Sequence, residues 1–147
     1  MISLSAVSHV IWLEGINDFS KNGNASAEAV QTGMKDGVAR LRKRIPGVKV
    51  IGATNANHGF PEQDEKRKAL NDFIRTSGVF DAVVDFDKAT INPDTGQLRA
   101  EFVHNTTTGG DGDKLHPNRL GYIAMGKAFD LDIFKIPAAA KKAPAKK

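Results

Sequence analysis

The chain reads as an α/β protein of three layers, a short parallel β-sheet covered by helices on both faces. Three observations predict this. Apolar-rich runs stand at residues 9–14, 48–53 and 79–86, and the first, almost continuous, has the pattern of a strand buried on both sides. Between the runs, apolar residues recur at helical spacing. The resulting order, strand then helix then strand, is that of parallel units joined by right-handed crossovers.

Taken in order, residues 9–14 (HVIWLE) predict the first strand, ended by Gly15, and residues 21–24 a loop. Ser26 predicts a helix cap, with Glu28 and Ala29 in the first turn. Val30, Met34, Val38, Leu41 and Ile45 then give one apolar face, so a helix is expected over residues 27–44. Its basic last turn (Arg40, Arg42, Lys43, Arg44) suits the negative end of the helix dipole, and Pro46-Gly47 stops it. Residues 48–53 predict the second strand. The loop 54–59 follows at the carboxyl edge of the sheet, where His58 reads as an exposed loop histidine. Residues 62–76 predict a second helix, with Ala69, Leu70, Phe73 and Ile74 inward.

The third strand is expected at residues 79–86. Asp85 and Asp87 at its end read as capping and ion-pairing groups, because a metal would need further carboxylates. Residues 92–112 are polar and rich in Gly and Thr, a long loop with a short strand at 98–102; loops of that length in compact domains commonly carry function. Residues 119–129 predict the last helix, with Leu120, Ile123, Ala124 and Phe129 inward.

Composition bounds the function. With 147 residues, 40% hydrophobic and 26% charged, one soluble domain over residues 1–136 is expected, followed by a disordered Ala/Pro/Lys tail at 137–147. The absence of cysteine excludes disulfides and thiolate metal sites. No stretch has the length of a membrane span, and the first residues lack the basic and apolar regions of a secretory leader. The excess of 21 basic over 17 acidic residues is carried by Lys141, Lys142, Lys146 and Lys147. The folded part is thus balanced, and nucleic acid is not an expected partner. Neither a cofactor nor a metal is expected, and composition does not fix a compartment.

Two motifs carry the chemistry. Asp113-Lys114-Leu115-His116-Pro117-Asn118 sets an acid three positions before a histidine, with a proline after it. A histidine acting as general base needs a carboxylate to fix its tautomer and stabilise the imidazolium. Gly15-Ile16-Asn17-Asp18 directly follows the first strand. Ligands of open α/β sheets sit outside the carboxyl ends of the strands, so Asn17 stands where an amide can donate to a developing oxyanion. On that segment alone, Asn17 and Asp18 read as a turn and a helix cap.

Together the two motifs resemble the SGNH hydrolase (GDSL-type lipase and esterase) family. The strand followed by G-x-N-D is similar to its third block and D-x-x-H-P-N to its fifth, and the resemblance covers residues 9–134 in the family's order. It implies a flavodoxin-like SGNH fold lacking its first strands, and a carboxylic-ester hydrolase acting on short-chain acyl esters. His116 is then the base, Asp113 its orienting acid, Asn17 the oxyanion donor, and Gly15 the shaper of the turn. The family's G-D-S block, with the nucleophilic serine, should lie well upstream of G-x-N-D. Only eight residues precede His9, and Ser3, Ser5 and Ser8 do not match it. The alternative is a truncated, non-catalytic protein of the same fold. The family's strand order also leaves residues 9–14 as an open edge. Such an edge is a pairing hazard, so a homo-oligomer built on it, or a cover formed by residues 1–8, is expected.

Overall fold

The computed structural model describes residues 6–56, 61–104 and 116–135. Its three strands form a parallel sheet in the order β1 (His9–Trp12), β2 (Lys49–Ala53), β3 (Ala82–Val84). His9 lies opposite Lys49 and Trp12 opposite Gly52, while Ile51 lies opposite Ala82. Successive side chains of β2 leave opposite faces, as the pleat demands. Val50 joins a core with Phe19, Met34, Val38, Leu70, Ile74 and Phe80, under the helices α1 (Ala27–Arg44) and α2 (Pro61–Thr76). Ile51 and Ala53 join Val84 and Phe86 on the other face. That face is covered by Met125 and Ala128 at the end of α4 (Arg119–Lys127), and by Phe129 and Ile133 beyond it. A short helix α3 (Phe86–Thr90) follows β3 directly. The architecture is the expected α/β/α sandwich.

Local chemistry explains most boundaries. The Ser26 hydroxyl accepts from the Ala29 amide at 3.1 Å and starts α1. Val30, Met34, Val38, Leu41 and Ile45 all pack into the first core. Gly47, at φ +87°, takes the left-handed turn that lets the chain enter β2.

Four expectations need correction. The first strand stops at Trp12 and is not buried on both faces: β1 has only β2 beside it among the described strands, leaving Ile11 45% and Leu13 41% exposed. The third strand is three residues long, because Asp85 turns from it to cap α3 by accepting from the Lys88 amide. No strand forms over 98–102. A single antiparallel bridge joins Ile91 to Leu98, and Ala100–Phe102 is a 3₁₀ turn. Among the described side chains of α2 the buried ones are Arg67, Leu70, Asn71 and Ile74, with Ala69 outside, and on α4 Leu120 and Ile123 are exposed. Residues 137–147, the expected tail, lie outside the described residues, as do residues 1–5 of the expected cover at 1–8.

Candidate active site

Beyond β1 the chain must turn sharply across the top of the first core, and Gly15 makes this possible. It is buried at φ +107°, and a Cβ there would lie 2.8 Å from Leu70 Cδ2, 3.1 Å from Val30 Cγ1 and 3.2 Å from Met34 Cε. The 3₁₀ turn Asn17–Phe19 follows, anchored by the buried Phe19 ring. The Ala25 amide donates to the Asp18 carbonyl at 2.9 Å, and the Ser20 amide donates to that of Asn17 at 3.1 Å. The turn backbone is therefore pinned while the Asn17 and Asp18 side chains stand exposed. Neither caps a helix: the turn has no side-chain cap, and α1 is capped by Ser26. A capping role does not explain these two residues.

The second motif is held from below. Asn118 accepts from the Leu120 and Gly121 amides at 2.9 and 3.1 Å, starting α4. Its Nδ2 donates to the Glu101 and Val103 carbonyls at 2.9 and 3.0 Å, and its backbone amide donates to Phe102 at 2.7 Å. One side chain thus ties the helix start to the Ala100–Phe102 turn. Pro117 is buried in that joint, pressed so closely on Gly121 that a Cβ there would sit 2.4 Å from the Pro117 ring carbon. His116, next in the chain, is exposed at the rim. Asp113, its expected partner, and His58 lie outside the described residues.

Asn17 and His116 line one cavity of about 250 Å³ at the carboxyl ends of β1 and β2. Leu13, Ile16, Pro117, Tyr122 and Met125 form apolar walls, and Glu14 and Asn55 add two more polar groups. Two larger hollows, of about 310 and 540 Å³, have no histidine among their described lining residues. The lining thus combines apolar side chains with a few polar groups, as small-molecule sites do. Asn55 carried no distinguishing signal in the sequence beyond its place just past the second strand.

No serine lines this cavity among the described residues. Ser8 precedes β1, at the far end of the strand, with its hydroxyl 2.9 Å from His9 Nδ1. Ser20 accepts from the Gly23 amide, Ser26 caps α1, and Ser77 accepts from the Val79 amide. Among the described residues no cluster of three or more His, Asp or Glu is placed to hold a metal ion. No described helix is long and apolar enough to cross a membrane.

A partly buried charge network joins the Asn55 main chain. Arg67, 2% exposed, donates to the Asn55 carbonyl at 3.1 Å and pairs with Asp64 and Asp87. Arg75 bridges Asp85 and Asp87 at 2.8 and 2.7 Å. Burial pushes the Asp85 carboxyl up, but hydrogen bonds from Arg75, the Lys88 amide and Thr54 outweigh it and hold the group below its ordinary value. The Arg75 guanidinium is held above its ordinary value, chiefly by Asp85. The expectation that Asp85 and Asp87 cap and pair is met.

Comparison with known proteins gives a matching assignment. A family model for the GDSL-like lipase/acylhydrolase family matches residues 3–124. Among solved structures, one from Streptococcus pneumonia, described provisionally as a platelet activating factor, superposes with a TM-score of 0.66 at 18% identity. The match covers 84% of this chain and 58% of that one, so the chain spans less than two thirds of that structure, and the likeness is one of fold. No curated protein matches the chain.

Proposed function

Since the chain belongs to the GDSL-like lipase/acylhydrolase family, a family of hydrolases, we propose that it is a carboxylic-ester hydrolase of the SGNH type acting on short-chain acyl esters. His116 is its general base, Asp113 the carboxylate that orients it, and Asn17 the oxyanion donor. The observation that carries this reading is the convergence of Asn17 and His116, from opposite ends of the chain, on one cavity. The imidazole takes the proton of the attacking O–H, the oxygen adds to the acyl carbon, and the Asn17 amide donates to the carbonyl oxygen as it becomes negative. Collapse breaks the ester C–O bond, and the proton passes from the imidazolium to the leaving alkoxide. The modest cavity and its Leu13, Ile16, Tyr122 and Met125 walls favour a short acyl group.

The attacking oxygen belongs either to a water or to a serine brought from outside the described residues, in this chain or another. The two differ kinetically, since a serine passes through an acyl-enzyme and gives a burst of the first product, whereas water does not. Hydrolysis of nitrophenyl acetate by the wild type and His116→Ala tests the reading. A loss of about 10²–10⁴-fold is expected for His116→Ala, and about 10²–10³-fold for Asn17→Ala. Activity indifferent to His116→Ala leaves the second reading, a non-catalytic binding protein of the same fold, which the lack of a cavity-lining serine among the described residues favours. The open side of β1, with Ile11 and Leu13 exposed, supports self-association through residues 9–14. A clean monomer by size-exclusion chromatography with light scattering sinks that part.

A further inference from the structure

Asn55 lines the reaction cavity and is almost wholly buried, at 3% exposure. Its main chain is held with unusual firmness for a residue just past a strand end. The amide donates to Asn71 Oδ1 at 2.8 Å, while the carbonyl accepts from Asn71 Nδ2 at 2.8 Å and from Arg67 at 3.1 Å. Asn71 is fully buried, and Arg67 is itself fixed by Asp64 and Asp87. The other end of the residue reaches across the sheet: Asn55 Nδ2 donates to the Glu14 carbonyl at 3.2 Å. Glu14 opens the segment Glu14-Gly15-Ile16-Asn17. The hydrogen bonds thus run without a break from the charge network under β2 and β3 to the loop that presents the Asn17 amide.

We infer that Asn55 is the positioning residue of the site, a strut that sets where the Asn17 amide stands by holding the Glu14 carbonyl. The bond is worth little as stability, about 0.5–1.5 kcal/mol for a neutral pair. Its value is geometric, because an oxyanion donor works only within a few tenths of an ångström of its place. A displacement of about 1 Å costs on the order of 10²-fold in rate. The turnover consequence rests on the hydrolase reading; the structural one does not.

Two measurements test this. In nitrophenyl acetate hydrolysis, Asn55→Ala lowers kcat about 10–100-fold with KM within about twofold. The double variant Asn17→Ala/Asn55→Ala is no slower than Asn17→Ala alone, since a strut has nothing left to position. A loss confined to a general weakening of the fold would instead multiply through the cycle, and that result overturns the inference. Asn55→Asp, which keeps the shape and the backbone bonds to Asn71 and Arg67 but cannot donate, gives the same pattern. Amide hydrogen exchange reads the strut without any turnover. Exchange of the Phe19 and Ser20 amides rises at least about tenfold in either variant while that of mid-α1 amides stays put. Unchanged exchange in the turn overturns the inference whatever the assay shows. Loss of activity in His116→Ala with none in the Asn55 variants leaves the hydrolase reading standing and removes only the strut.

Discussion

Replacing Gly15 with alanine tests how the loop after β1 is built. Two costs add. A residue with a Cβ at φ +107° is strained by about 1–3 kcal/mol. The new carbon would also meet Leu70 Cδ2 at 2.8 Å, Val30 Cγ1 at 3.1 Å and Met34 Cε at 3.2 Å. Those contacts come from two different helices, so no single shift relieves them, and overpacking of this kind costs about 1–3 kcal/mol. The sum is about 2–6 kcal/mol, a large share of the about 5–15 kcal/mol of a typical domain. A central value of about 4 kcal/mol lowers the melting temperature by roughly 8–16 °C. Urea unfolding followed by the fluorescence of Trp12, the only tryptophan, measures it. The matched control is Gly33→Ala on α1, where a Cβ meets nothing within 4 Å. There the helix gains about 0.5–1 kcal/mol. A Gly15→Ala cost below about 1 kcal/mol, or an equal cost at Gly33, refutes the steric reasoning.

Further outcomes follow from the same contacts. Gly121→Ala drives a carbon into Pro117 and Phe102; it should cost about 1–3 kcal/mol and lower ester hydrolysis by displacing the neighbouring His116, read by urea unfolding and kcat together. Arg67→Met removes one partner each from Asp64, Asp87 and the Asn55 carbonyl, while Lys68, Arg75 and Asn71 keep theirs; a loss of about 1–3 kcal/mol is expected in chemical denaturation, and a neutral result would show that the network is dispensable. Asp64, Asp81 and Asp85 all sit below the ordinary carboxylate value of 3.8, because hydrogen bonds and cations outweigh the upward push of burial. The unfolded chain then binds more protons, so their contribution is present above pH about 4 and is lost as pH falls below it. Urea midpoints should therefore drop between pH 5 and about 3, less steeply in Asp81→Asn; a flat profile contradicts the pairing.

Where a segment's conformation depends on its own neighbours in sequence, reading it directly succeeded. Ser26, the apolar ladder from Val30 to Ile45 and Pro46-Gly47 specify α1 end to end, since cap, face and stop are all local. Gly15 and the motifs around Asn17 and His116 were legible for a related reason: a strand followed by a tight turn, and a proline before a capped helix, declare themselves within a few residues. The family assignment came from their order along the chain.

Burial and convergence were another matter. Arg67 looks like one more charge on a polar helix, and it becomes a core residue when Asp87, from beyond β3, and the Asn55 carbonyl, from beyond β2, are brought to it beside Asp64. Leu120 and Ile123 have helical spacing yet face outward, because the close seating of Gly121 on Pro117 and Phe102 turns α4 so that Met125 meets the sheet. Asn55 gained its meaning only when β1 and β2 paired and set its amide against the Glu14 carbonyl. Sequence by itself determined the elements, the turn glycine and the chemical groups on offer, since backbone propensity and side-chain type act at short range. Which of those groups share a cavity, and which charges lose their water, was decided by tertiary packing, because both depend on distances between segments that the chain order does not encode.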